Sequence, residues 1–228
     1  MDMPATDPNE TADPFTEGGF RARARRGLSA EPSDAIFDPR SGQSWGPSDW
    51  DLNPELMDDL AVMPPPRPAA VLVPIMRRPT LTVLLTQRSQ ALKNHAGQIS
   101  FPGGRLDPED RNALDAALRE AREEIGLPAD RVEPLGYLDS YRTGTGFQIV
   151  PVVALVEPGF TLMLDPNEVA DAFEVPLQFL MDPANHRKDS REWYGRQRFS
   201  YAMPYQEHYI WGATAGVLRN MHQRLFAS

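Results

Sequence analysis

Three glutamates, Glu120, Glu123 and Glu124, stand within the stretch "REAREE", a short way after the double glycine Gly103–Gly104. Carboxylates at helical spacing repel one another unless a cation joins them. Hard divalent ions take oxygen ligands, and magnesium is typically held by a few carboxylates together with the phosphates of a substrate. The double glycine upstream, followed by a polar loop into the helix, shifts the odds toward such a cation site. The chemistry these residues suit is the holding of a hard divalent cation. The plain alternative is that a charged run of this kind is the solvated face of a helix.

That helix is legible from spacing. Leu114, Ala117, Leu118, Ala121 and Ile125 recur at three, four and seven residues, which predicts an amphipathic helix over 113–125. Gly126 follows as a C′ residue, with Pro128 beyond it to prevent continuation. At roughly 100° per residue, the three glutamates fall on one sector flanking the apolar stripe. The expectation is an acidic corner on the polar rim of the core.

Around the helix the pattern is mostly of strands. "AAVLVPIM" and "TLTVLLTQR", split by "RRPT", predict a hairpin, and their near-continuous apolarity predicts cover on both faces. "QISFPGG" gives a short strand into a glycine turn. "PLGYLDSYR" and "QIVPVVALVEP" give two more strands around a flexible "TGTG" loop. "AFEVPLQFL" predicts a strand into a short helix, "RFSYAMPY" and "EHYIWG" late strands, and "ATAGVLRNMHQRLF" a closing amphipathic helix. Interleaved strands and helices imply an α/β sandwich on a mixed sheet. The division expected is an N-terminal arm over 1–68 and a folded domain over 69–228. The arm is partly irregular and low in apolar residues, with a short basic helix at "FRARARRGL" and scattered tryptophans, Trp45 and Trp50. Such a composition predicts partial disorder or a wrap over the domain surface.

Composition narrows the partners. The 228-residue chain carries a net charge of −9, which disfavours broad nucleic-acid binding but not a small anion covered by local cations. The absence of cysteine removes disulfides, thiol catalysis and cysteine-ligated zinc. No apolar run reaches the length of a membrane span, the acidic "MDMPATDPNETADPF" is no signal peptide, and "LFAS" matches no targeting address. A soluble cytoplasmic protein is expected, with a small molecule as partner, a homodimer allowed, and neither nucleic acid nor membrane.

"REAREEIGL", Arg119 to Leu127, resembles the second half of the Nudix hydrolase signature, G-x5-E-x7-R-E-U-x-E-E-x-G-U. The resemblance implies a Nudix-type α/β/α sandwich and hydrolysis of a nucleoside diphosphate derivative by water attack on phosphorus. It implies Glu120, Glu123 and Glu124 as ligands of Mg²⁺ or Mn²⁺, and Arg119 as the group that fixes a glutamate. Counted from Gly104, the Arg-Glu pair arrives one residue late. The early acid of the signature is then Asp110 or the position of Arg111, depending on where the extra residue falls.

Upstream, "LLTQRSQALKNHAGQISFPGG" resembles the added signature of the coenzyme A pyrophosphatase branch, through Leu84, Leu85, Thr86, Arg88, Ser89, Gly97, Phe101, Pro102, Gly103 and Gly104. The implied substrate is coenzyme A or a derivative, split to 4′-phosphopantetheine and adenosine 3′,5′-bisphosphate. Its 3′-phosphate asks for added cations, and Arg88, Lys93 and His95 supply them within eight residues. Gln98 and Ser100 are further polar contacts implied by the resemblance, beside Gly103 and Gly104. The general base is left between Glu120, Glu168 and Glu174. Tyr209 and Trp211 suit stacking on adenine, while core packing suits them too. The alternatives are another diphosphate, such as ADP-ribose or a dinucleotide, and a catalytically silent nucleotide-sensing domain.

Overall fold

A computed structural model describes residues 12–32, 46–57, 64–193 and 195–227. The expected hairpin is present: β1 (Arg67–Met76) and β2 (Thr82–Arg88) run antiparallel, with Ile75 opposite Val83. β3 (Ile99–Ser100) pairs with β2, and β4 (Gly103–Arg105) pairs with β1. β5 (Val132–Tyr137) and β6 (Tyr141–Arg142) both lie antiparallel to β7 (Phe147–Val156). β7 itself runs parallel to β1 along the full length of both strands. β8 (Val169–Pro176) closes the other side against β2. The sheet is therefore mixed, as the interleaved pattern predicts, and has eight strands among the described residues.

Each face of this sheet has its own core, which is why β1, β2 and β7 read as unbroken apolar runs. On one face the helix α2 (Ala113–Ile125) lies against Leu72, Leu84, Val150 and Val152. On the other, Val73, Ile75, Val83 and Leu85 meet the short α3 (Leu177–Met181) and the closing α4 (Ala213–Leu225). A separate three-stranded sheet, β9 (Arg187–Trp193), β10 (Arg196–Tyr205) and β11 (His208–Trp211), stands beside α4. β9 is not legible in the sequence, because "RKDSREW" carries no apolar alternation. Pairing with β10 makes it a strand.

The basic helix of the arm is α1 (Glu17–Gly27), capped by the Thr16 side chain. It is more than a surface wrap: Phe20 is fully buried, and Phe15 stacks on Phe226 after α4 at 5.5 Å. Trp50 is buried as well, its indole N–H donating to the Leu56 carbonyl at 3.0 Å. Trp45 lies outside the described residues.

Candidate active site

The helix α2 has the predicted bounds and the predicted glycine at its C-terminal end. Asn112 accepts from the Asp115 N–H at its start, and Gly126 turns left-handed (φ 69°) at its end. Its buried face differs from the predicted one. Ala113, Ala116, Ala117, Ala121, Glu124 and Ile125 are buried, and Leu114 and Leu118 only partly so. The helix is turned by roughly 60° from the predicted stripe, over half of one residue step. Four alanines on that face let the helix approach the sheet closely. Glu124 thereby lies inside the core face, its side chain 2% exposed.

This corrects the expectation that all three glutamates share a polar rim. The Glu123 side chain is 59% exposed and that of Glu120 16%. The reason is angular: Glu123 and Glu124 are one residue apart and diverge by roughly 100°, so one facing the sheet sends the other toward water.

Arg119 organises the exposed half of the cluster. Its guanidinium donates to Glu120 at 3.0 Å, Glu123 at 3.1 Å, both oxygens of Asp110 at 3.1 and 2.9 Å, and the Arg105 carbonyl at 3.1 Å. Asp110, held by this pairing, has its carboxyl lowered from the ordinary aspartate value. Of the two residues left open for the early acid, Asp110 is the one that meets Arg119. Arg111 points outward, 84% exposed, and pairs with Asp115.

Glu124 has different surroundings. Burial pushes its carboxyl up to about 8, opposed by the Gly103 N–H, which donates to it at 3.1 Å, and by the charge of Arg88. The Arg88 guanidinium stands 3.7 Å away. The charges of Glu120 and Glu168 raise it further. Glu120 is also raised, first by burial, with Arg119 opposing and with Glu123 and Glu168 adding repulsion. Glu168 is placed beside them by its loop: the Asp165 N–H donates to the Glu124 carbonyl, and the Ser89 N–H to the Glu168 carbonyl. Glu174, by contrast, is paired with Arg78 and Thr82 near the opposite end of β8.

The glycines fit this crowding. A Cβ on Gly103 would lie 2.4 Å from the Ala70 carbonyl oxygen, and one on Gly104 would lie 2.4 Å from the Glu120 carboxylate. The double glycine is what lets β4 pass between strand β1 and the carboxylates of α2. The structure therefore brings Arg88, Gly103, Gly104, Glu120, Glu124 and Glu168 together, with Arg119 and Asp110 behind them.

Other predicted residues sit apart. Lys93 and His95 are exposed on the loop after β2. His95, at φ 59°, bonds through Nδ1 to the Gln98 amide at 2.9 Å. Ser100 shares a hydroxyl contact with Thr86 at 3.0 Å. Among the described residues, no three acidic or histidine side chains are already drawn into a metal cage; Arg119 holds two of the candidates. The donor set nonetheless suits a hard cation: carboxylate oxygens only, mutually repelling, one of them buried beside a lone guanidinium.

A NUDIX domain model matches residues 66–197. The chain belongs to the Nudix hydrolase family. It is 40% identical over 173 residues to a protein from Photorhabdus laumondii subsp. laumondii named "Uncharacterized Nudix hydrolase NudL", covering 73% of this chain and 92% of that one. A Klebsiella pneumoniae protein of the same name is 41% identical over 155 residues, covering 68% and 81%. Among solved structures, a C. elegans Ap4A hydrolase binary complex aligns with a TM-score of 0.43 at 20% identity, over 48% of this chain and 80% of the other. Nudix membership accounts for the mixed sheet and its helices on both faces. The Nudix match takes in β1 to β9, including the acid-bearing helix, and stops short of β11 and α4.

Proposed function

We propose that this Nudix protein is a divalent-metal-dependent hydrolase of the diphosphate bond in coenzyme A and its derivatives, releasing 4′-phosphopantetheine and adenosine 3′,5′-bisphosphate. The observation that carries the hydrolase reading is the crowding of Glu120, Glu124 and Glu168 in a partly desolvated corner, at an electrostatic cost that a cation would relieve. Glu120, Glu123 and Glu124 would hold Mg²⁺ or Mn²⁺, Glu123 after leaving Arg119. When bound, such an ion neutralises the diphosphate and acidifies the attacking water.

The remaining work falls to side chains. Arg119 positions Glu120 by charge-assisted hydrogen bonds, and Asp110 positions Arg119. Glu168, on a loop tied to the end of α2, is the proposed general base; Glu120 is the alternative. Glu174 is engaged elsewhere and is not suited to the role. Arg88, beside Glu124, presents its positive charge to the substrate phosphates, with Gly103 and Gly104 giving backbone access. Lys93, His95 and Gln98 on the loop after β2, and Ser100 on β3, extend the substrate contacts; exposed Lys93 and the Nε2 side of His95 are turned to a 3′-phosphate.

The coenzyme A assignment is supported by the resemblance of Leu84–Gly104 to the branch signature. Product identification by mass spectrometry in ¹⁸O-water, with Mg²⁺ or Mn²⁺, tests substrate and attacked phosphorus together. A lower kcat/KM for dephospho-coenzyme A is expected, because it lacks the 3′-phosphate. Equal rates on the two would move the reading to another nucleoside diphosphate. No turnover on a broad diphosphate panel would favour a silent sensing domain.

A further inference from the structure

A cavity of about 580 Å³ opens between the loop after β2 and the three-stranded sheet, lined by Gln87, Gln98, Asp171, Arg191, Tyr209 and Trp211 among others. It has the size of a small-molecule site. Its aromatic wall is built rather than accidental. The Arg191 guanidinium lies 4.1 Å from the Trp211 ring centroid and 5.0 Å from that of Tyr209, and the Tyr209 hydroxyl donates to Asp189. Phe173 and His208 stack at 3.5 Å beside it. The opposite wall is the loop whose shape is fixed by left-handed His95 and Gly97 and by the His95–Gln98 bond.

The cavity connects to the acidic corner through adjacent residues of one strand. Gln87 lines the cavity, while Arg88 reaches toward Glu124. The β2–β8 register breaks between these two residues, so the ladder is interrupted where a ligand would cross from one face to the other. The backbone of Arg88 is held by Gln98 and Gly97, which couples the cavity wall to the proposed phosphate contact.

We infer that this cavity seats the nucleobase of the substrate's nucleotide half. This rests on the diphosphate-hydrolase reading above. Charge argues for a neutral ring and against a phosphate: Asp171 and Glu207 line the cavity, Arg191 is already engaged with the rings, and His208, also on the lining, stands 3.7 Å from the Glu207 carboxylate. An adenine offers an amino donor to those carboxylates, both donor and acceptor edges to the glutamine amides, and a π-face to Trp211 or Tyr209.

The test uses the full chain with Trp211→Ala and, as a milder change, Gln87→Ala, each checked by thermal melting. Binding of adenosine 3′,5′-bisphosphate and of 4′-phosphopantetheine is measured by calorimetry without metal, beside coenzyme A kinetics with Mg²⁺. Trp211→Ala is expected to weaken adenosine 3′,5′-bisphosphate roughly tenfold, with a smaller loss for Gln87→Ala. Both should leave 4′-phosphopantetheine unchanged and raise KM far more than they lower kcat. Unchanged nucleotide affinity in both variants, no nucleotide binding by the wild type, or a loss confined to 4′-phosphopantetheine would each overturn the inference. If the wild type fails to hydrolyse coenzyme A, the hydrolase reading falls on its own, and the nucleotide affinities still decide the cavity.

Discussion

Arg119 is the residue through which the acidic cluster becomes a geometry, and Asp110 is what aims it. Because Asp110 touches Arg119 rather than Glu120 or Glu124, its loss should blur position without removing charge from the core of the site. Asp110→Asn is expected to lower kcat by roughly 10–100-fold, the usual penalty for an outer-shell partner. KM for coenzyme A should change little, as steady-state kinetics would show. Glu120→Gln should cut kcat at least as deeply, by two orders of magnitude or more, with the melting temperature nearly unchanged.

Glu124 makes a pH prediction. Its folded carboxyl is raised from 4.5 to about 8 by burial, so the folded state holds its proton more tightly than the unfolded chain. Its favourable contribution is complete below about pH 4.5 and is lost as pH rises through about 8. The swing is on the order of 5 kcal/mol. Urea unfolding of metal-free protein should therefore show this share of stability declining between those limits. Glu124→Gln should flatten that slope while abolishing turnover.

At the scale of elements, the two glycines of β4 make opposite predictions although they are neighbours. Gly103 has φ 154°, and an added Cβ would meet backbone, the Ala70 carbonyl of β1. Backbone cannot step aside, so Gly103→Ala should destabilise the fold by about 1–3 kcal/mol, read as a lower urea midpoint. The atoms facing Gly104 are the end of a flexible side chain, Glu120. Gly104→Ala should fold normally and lose at least tenfold in kcat, because the displaced group is a proposed catalytic carboxylate. A Gly104→Ala enzyme with full activity would remove Glu120 from the chemistry.

The whole molecule depends on the N-terminal helix more than its composition suggests. Phe20 is fully buried and near Phe226, so α1 and the end of α4 share one core. Truncating a buried phenylalanine costs about 3–5 kcal/mol. Phe20→Ala should lower the unfolding free energy by that amount and leave kcat unchanged at temperatures where the protein stays folded. The ion pairs of Glu17 with Arg77 and of Arg21 with Glu133 are partly exposed and should add little. No helix among the described residues is long and apolar enough to cross a membrane.

The sequence by itself determined what depends on near neighbours. Alternating and continuous apolar runs marked the strands of the main sheet, a 3.6-residue rhythm ended by Gly126 and Pro128 marked α2, and the fixed spacing of "REAREEIGL" marked the family. The basic helix was legible too, but not that Phe20 would be core, since one aromatic among arginines carries no periodic signal. Tertiary structure alone decided which glutamate is buried, that Asp110 rather than Arg111 meets Arg119, and that β9 exists. It also set Gln87 and Trp211, far apart in the chain, across one cavity. The physical reason is common to all of these. Periodicity fixes a helix or strand to within a residue step, whereas a charge's environment turns on a few tens of degrees of rotation, set by what the opposing element presents.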